Sequence, residues 1–398
     1  MFPVHSENMS ASDNSIQQSI SPQKIKAGIL MPLGDQRGGG EKNLWDLISE
    51  GRQGPIQWVV IFQQDGPLVQ QIKDMGVSTH VVPSGRLRNI PNTISATLKI
   101  ASIIRQEKLD TIIAWMWSAH IYSSPAGCLA GCPAILSQVE APDDYWFKRL
   151  VTRIFPSRGI LINSQDGLER LKRMMPGASG KMRLVYPGAD LSRFDPEVLP
   201  SAEEIREKLG LGKEGPVIGL VGRLQRWKGP HVLVESMPKI RKHFPGARCV
   251  IVGGRHDLEG DYEDYLKNQI KELGLDDCVI LAGLQRNIPE WMQAMDIVVH
   301  ASDNEPFGLV IIEAMALGKP MVATNMGGPT EIMTDGTHGI LTPYGDSVAL
   351  ADAILEYLKD PQMAAAIGSA AQKRADDFST RRYADNFINA IVDLVRQR

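Results

Sequence analysis

Cysteine is scarce in this sequence, charges of opposite sign nearly cancel, and apolar runs stay short; each shortage closes off a class of function. The four cysteines stand at 128, 132, 249 and 278. Only Cys128 and Cys132 are close together, in AGCLAGCP. A zinc site wants four tightly spaced ligands, and no second pair exists, so all four read as buried, reduced thiols of a cytosolic protein. A net charge of −3 leaves no basic field to draw the chain onto nucleic acid. No stretch reaches the ~18–20 apolar residues that cross a bilayer. The expectation is a soluble, cytoplasmic protein that touches a membrane from one side at most. The motif D-x-D, a common carboxylate grip on a divalent metal, is also missing. The opening residues 1–24, rich in Ser, Asn and Gln, lack the basic-then-apolar plan of a signal peptide and read as a disordered tail.

What is present is a rhythm. Short, continuously apolar runs recur from residue 25: IKAGILM (25–31), QWVVIF (57–62), THVV (79–82), DTIIAW (110–115), AILSQ (134–138), GILINS (159–164) and RLVY (183–186). Continuous rather than alternating apolarity marks strands covered on both faces, as in a parallel α/β sheet. Helical patterns such as 91–107 and 164–174 lie between them. The rhythm pauses at the proline-rich YPGADLSRFDPEVLP (186–200). It restarts with PVIGLVG (216–222), RCVIVGG (248–254), CVILAG (278–283), DIVVHA (296–301) and KPMVAT (319–324). The fold expected is α/β: two Rossmann-like doubly wound domains, 25–190 and 191–378, facing each other across a cleft. A last amphipathic helix, 379–398, can pack back on either one. GLGKEG (210–215) mimics a dinucleotide fingerprint, but a helix precedes it and a strand follows, so it is a turn.

Three loops carry the chemistry. In SDNEPFGLVIIEAMALG (302–318), Glu305 lies beyond a strand end, Pro306 suits a first helical position, and Gly308 allows close backbone approach. Amides near Phe307, Gly308 and Leu309 suit a phosphate or sugar oxygen. Glu313 interrupts a run so apolar that its helix reads as buried nearly all round, where a carboxylate needs a partner. The competing reading is a glutamate salt-bridged inside the domain. In GRLQRWKG (222–229), Arg223, Lys228 and also Arg226 stand at a strand-to-helix junction, a seat for a diphosphate or else a solvated basic face. In MPLGDQRGGGEKNL (31–44), three glycines before Glu41 let backbone approach an anion.

Together these stretches resemble a family. Glu305-x7-Glu313, GRL-x4-KG, the glycine loop with Glu41, NSQDGLERL (163–171), VYPGADLSRFDP (185–196), VIVGG (250–254) and GGPTEI (327–332) are similar to the retaining GT-B glycosyltransferases of family GT4. The resemblance runs from about residue 25 to the end. It implies a nucleotide-sugar donor, best read as UDP-glucose, held by the second domain, and an acceptor held by the first. Glu313 would then bind the ribose hydroxyls and Glu305 the donor sugar, with the amides of Phe307, Gly308 and Leu309 on sugar and phosphate. Arg223 and Lys228 would neutralise the diphosphate, Gly39 would back it from the opposite domain, Gly254 would line the donor site, and backbone near Arg286 would edge the base. No metal or other cofactor is implied. One departure concerns the histidine that family members place after the fourth strand. In AWMWSAHIYSSPAG, His120 is the only histidine, yet the commonest spacing points to Trp115 or Ser118; His120 is a sugar contact or a helix-start or helix-surface residue.

The acceptor implied is a saccharide or lipid-linked saccharide of cell-surface polysaccharide synthesis. Residues 143–158, DDYWFKRLVTRIFPSR, interleave aromatics with cations and read as a membrane-surface helix or as an ordinary packed one. Two rival functions are a nucleotide-sugar-binding protein without turnover and an epimerase on the same architecture. The epimerase would need acid/base groups from Glu41, Glu140, Asp143 and Asp144.

Overall fold

Thirteen strands among the described residues form two parallel sheets. The computed structural model describes residues 24–35, 39–85, 89–138, 154–212, 214–256, 259–303 and 305–397. Residues 1–23 of the expected tail, Gly38 of the glycine loop, residues 143–153 of the aromatic-basic segment, and Glu140, Asp143 and Asp144 lie outside them.

The first sheet contains β1 (Ile25–Met31), β2 (Ile56–Phe62), β3 (Ser78–Val81), β4 (Thr111–Trp115), β5 (Ala134–Gln138), β6 (Gly159–Ile162) and β7 (Met182–Leu184), in the order β3-β2-β1-β4-β5-β6-β7. The second contains β8 (Val217–Val221), β9 (Arg248–Val252), β10 (Val279–Gly283), β11 (Ile297–His300), β12 (Met321–Thr324) and β13 (Ile340–Thr342), in the order β10-β9-β8-β11-β12-β13. Every pairing is parallel, from Ile25↔Ile56 in the first sheet to Val322↔Ile340 in the second. Helices cover both faces of each sheet, which is why the central strands are apolar along their whole length. The strand β13 went unforeseen. Its three residues, between Gly339 and Pro343, are too short a run to stand out from a loop.

The chain crosses between the sheets twice. It passes forward at 185–190 and returns at 378–380, where the two passages pair: Ala189 N donates to Phe378 O at 2.9 Å and Thr380 N to Ala189 O at 3.1 Å. The returning segment is the helix Thr380–Arg396, with Ser379 accepting from Arg382 N at its start. Its apolar face, Tyr383, Phe387, Ile388, Ile391 and Leu394, joins the core of the first sheet beside Trp58 and Trp115. Each such side chain stabilises by about 1.5–3 kcal/mol when buried, so this helix belongs structurally to the first domain. The cysteine reading needs one correction: Cys128, near the end of the helix Trp117–Ala130, is exposed, while Cys132, Cys249 and Cys278 are buried.

Candidate active site

Strand order reverses between β1 and β4 in the first sheet and between β8 and β11 in the second. Beyond the carboxyl ends of strands at such a switch point, loops diverge and leave a crevice. The stretches 222–229 and 301–308, 79 residues apart in sequence, leave the adjacent strands β8 and β11, so the fold sets them side by side. Asp303 N donates to Trp227 O at 2.6 Å and stitches them together.

Glu305 is 8% exposed and has two partners from this arrangement. The Lys228 ammonium donates to its Oε2, and His300 Nε2, at the last residue of β11, lies 3.3 Å from the same oxygen. Ser302 Oγ is 3.3 Å from that ring nitrogen, while His300 Nδ1 is buried without a partner among the described residues. Burial raises the Glu305 carboxyl, but the hydrogen bond from His300 and the charge of Lys228 outweigh it and hold the group at about 2. Glu305 is therefore an anion fixed beside a cation, both at the mouth of the crevice. His300 was not among the residues expected here. It sits inside an apolar strand and reads as filler; the signal was its place as the strand's last residue, facing the loop.

The helix carrying Glu313 runs from Leu309 to Ala316, capped by Gly308 at φ +107°, a left-handed conformation suited to glycine. Pro306 is thus in the bend before the helix and not at its first position. Nor is this helix buried all round: Leu309, Val310 and Glu313 face partly open space, while Ile311, Ile312, Ala314 and Met315 fill the core. The Glu313 side chain forms no ion pair among the described residues. Burial pushes its carboxyl up to about 7, against the pull of Lys42 and Arg193. Solvent reaches the residue, so its environment is a narrow crevice rather than a sealed core. Lys42 belongs to the helix Gly39–Gly51 of the first domain, so charges from both domains converge on this spot.

Gly39 starts that helix, exposed, and a Cβ built on it would lie 3.8 Å from Leu309 Cδ1. The glycine loop therefore faces the start of the Glu313 helix from across the cleft. Arg223 is exposed at the end of β8, and the Lys228 stem passes 3.8 Å from the Cβ position of Gly222. Gly254 O accepts from Leu224 N at 3.0 Å, which holds the end of β9 beside this loop. Arg286 is exposed beyond β10, the edge strand at the far side. Phe307 turns its ring away, onto Tyr186 at 5.3 Å and 21°, and leaves only backbone for the crevice.

Two expected residues stand elsewhere. Arg226 does not join the diphosphate seat: its guanidinium lies 5.1 Å over the Tyr262 ring and 4.7 Å over Tyr265. His120 is fully buried in the helix Trp117–Ala130, with Nε2 3.3 Å from Phe155 O and Nδ1 unpartnered among the described residues. Burial lowers its pKa, so it is a neutral ring packed in the first turn of this helix and not on its surface. The structure brings it into no contact with Glu305, Arg223 or Lys228 among the described residues. Met116, just before that helix, has φ +71° at a non-glycine residue, a strained turn at the end of β4.

A cavity of about 590 Å³ lies at the opposite edge of the second domain, lined by Arg206, Asp296, Lys319 and apolar residues. It sits by the amino ends of β8, β11 and β12, the wrong edge for a doubly wound sheet to hold its main ligand. The crevice at Glu305 and Glu313 is the candidate site.

Comparison with known proteins identifies the family. Residues 37–193 match the family model Glycosyltransferase Family 4, and residues 201–374 match Glycosyl transferases group 1. The D-inositol 3-phosphate glycosyltransferase of Stackebrandtia nassauensis is 31% identical over 81% of this chain and 79% of its own length. The enzyme of that name from Corynebacterium urealyticum is 32% identical over 60% of this chain, and the chain spans only about half (56%) of that relative's length. The crystal structure of Anabaena Alr3699/HepE in complex with UDP and glucose superposes with a TM-score of 0.80, at 27% identity over 93% of this chain and 100% of that one. The crevice, the two doubly wound domains and these matches lead to one conclusion: the chain is a GT-B glycosyltransferase of family GT4, group 1.

Proposed function

We propose that the protein is a retaining transferase that moves glucose from UDP-glucose to a saccharide or lipid-linked saccharide acceptor on the cytoplasmic side of the cell membrane. The observation that carries this reading is the pairing of an ionised Glu305 with Lys228 and His300, beside an unpaired Glu313, where β8 and β11 diverge. Glu313 presents two acceptor oxygens to the ribose hydroxyls. Arg223 and Lys228 face the diphosphate, and Glu305 orders the sugar hydroxyls and holds Lys228 in place. Charge developing on the leaving diphosphate is met by these cations and by the amides that open the Glu313 helix, which is electrostatic stabilisation by groups already in position. No step needs a divalent metal. The acceptor hydroxyl attacks the anomeric carbon from the leaving-group side while a diphosphate oxygen takes its proton, so the anomeric configuration is kept.

UDP and glucose are supported by the ligands named for the Anabaena structure. The names of the sequence relatives favour a second acceptor class, an inositol phosphate, over a saccharide. The test is isothermal calorimetry with UDP, GDP and ADP and their glucose conjugates, repeated on Glu313→Ala and Glu305→Ala. We expect UDP binding to vanish in Glu313→Ala and the preference for the glucosyl form to vanish in Glu305→Ala. Absence of binding by any nucleoside diphosphate would sink the donor site. Acceptors are then screened with the donor found, D-inositol 3-phosphate against saccharides and lipid-linked saccharides, with product release deciding between them.

A further inference from the structure

Two stretches, NSQDGLERL (163–171) and GGPTEI (327–332), have no part in the roles above, and the structure places them against each other. GGPTEI underlies the loop that carries Glu305. Gly328 N donates to Glu305 O at 2.8 Å. A Cβ on Gly328 would come within 1.9 Å of Phe307 O, and one on Gly327 within 2.5 Å of Glu305 O. Only glycines let the two loops touch backbone to backbone.

Three residues on, the Glu331 side chain leaves the second domain and reaches the first. Its Oε2 accepts from Gln165 N at 2.6 Å and its Oε1 from Asp166 N at 3.0 Å. These are the first two residues of the helix Gln165–Met174, and the third amide, Gly167 N, is taken by Ser164 Oγ at 3.1 Å. The opening amides of a helix have no partner within it. Here one is satisfied locally and two by a carboxylate from the other domain, where the helix dipole favours an anion. The Glu331 carboxylate also lies near enough to the Tyr186 hydroxyl to help raise its pKa, behind the larger effect of burial, and the Tyr186 ring stacks on Phe307, between Glu305 and the Glu313 helix. Arg374 Nη2 donates to the Glu331 carbonyl at 3.3 Å and fixes the residue from behind.

We infer that Glu331 is a positioning residue: it clamps the 165–174 helix of the first domain to the loop that carries Glu305, and so sets the register in which the two substrates meet. It touches no substrate and acts through Gly327, Gly328 and Tyr186. The inference rests on the donor-site reading above. Misplacing reacting groups by an ångström from a distance costs on the order of 10- to 100-fold in rate, and that is the loss expected when the clamp opens.

A helix cap with no further role would affect stability alone, and Ser164→Ala supplies that comparison, since it removes a cap from the same helix without crossing between domains. In Glu331→Ala, UDP affinity stays within about twofold, while kcat for UDP-glucose turnover, with the best acceptor or with water, falls by at least about tenfold. Glu331→Gln retains one acceptor oxygen, points an NH2 at the other amide, and falls between. Ser164→Ala lowers Tm and leaves kcat in place. The proposal is overturned if Glu331→Ala keeps its kcat, if Ser164→Ala loses as much, or if UDP affinity and kcat collapse together in Glu331→Ala. Hydrogen exchange at the amides of 165 and 166 probes the clamp without substrate. Faster exchange in Glu331→Ala than in the parent protein supports it, and unchanged exchange refutes it. Failure of the parent protein to bind UDP would instead refute the donor site.

Discussion

Glu305 and Glu313 lie eight residues apart on one loop-and-helix segment, yet their surroundings drive them in opposite directions. Around Glu305, Lys228 and His300 supply more favourable interaction than burial takes away, and the carboxyl sits at about 2. Around Glu313 burial dominates, the charges of Lys42 and Arg193 pull only weakly against it, and the carboxyl sits at about 7. One acid is finished before any ligand arrives, and the other is kept waiting for partners. A group held ionised by fixed cations suits a role in the reaction itself, while a group that protonates near neutrality suits the binding of neutral hydroxyls.

The sharpest break in this contrast is Glu305→Gln. It removes a preorganised charge from the reacting region, and turnover of the donor should fall by about 10²–10³-fold, read in a coupled assay for released UDP. Next comes Lys228→Ala, which strips the buried Glu305 of its cation. Loss of one partner of a buried pair costs about 3–5 kcal/mol, so Tm should drop by roughly 6–12 °C or more for a domain of this size. Glu305→Gln made in the same background should restore part of the loss, because the uncompensated charge is then gone.

Acid tests the two carboxyls with opposite signs. Glu305 is depressed below its unfolded value of about 4.3, so its stabilisation is complete above that pH and is lost as pH falls towards 2. Glu313 is raised, so between about 4.5 and 7 the folded chain holds a proton that the unfolded chain releases, and stability declines as pH rises through that window. Glu313→Gln should therefore raise Tm at pH 8 by a few degrees, about 2–4 °C, and leave it unchanged near pH 4.5. UDP affinity of the parent protein should rise with pH through about 7, and that of Glu313→Gln should be weaker and flat. The smallest effect belongs to Arg226→Ala, which removes a guanidinium from two tyrosine faces. We expect about 0.5–1 kcal/mol of lost stability and donor affinity within twofold.

Much of this site was legible in the sequence because continuous apolar strands announce a doubly wound sheet, and such a sheet places its loops in advance. The positions of Arg223, Lys228, Glu305 and Glu313 follow from that. What stayed hidden depends on partners distant in sequence. Arg226 looks like its basic neighbours until Tyr262 and Tyr265 fold over from another helix. His300 is camouflaged by the apolar residues beside it. Lys42 reaches the crevice from the opposite domain, and Glu331 meets Gln165 across 166 positions, a contact no local pattern encodes. The helix around Glu313 looked fully buried because composition does not record an open cleft on one side.

The paired crossings at Ala189 and Ser379 have a consequence for how the molecule is made. The helix Thr380–Arg396 covers a face of the first sheet, yet in the chain it comes only after every strand of the second sheet. At about 5–20 residues per second, the first domain waits roughly ten to forty seconds after its own strands emerge, with apolar surface open around Trp58 and Trp115. The two domains therefore reach maturity together, and chaperones that shield exposed apolar surface have their longest work in that interval.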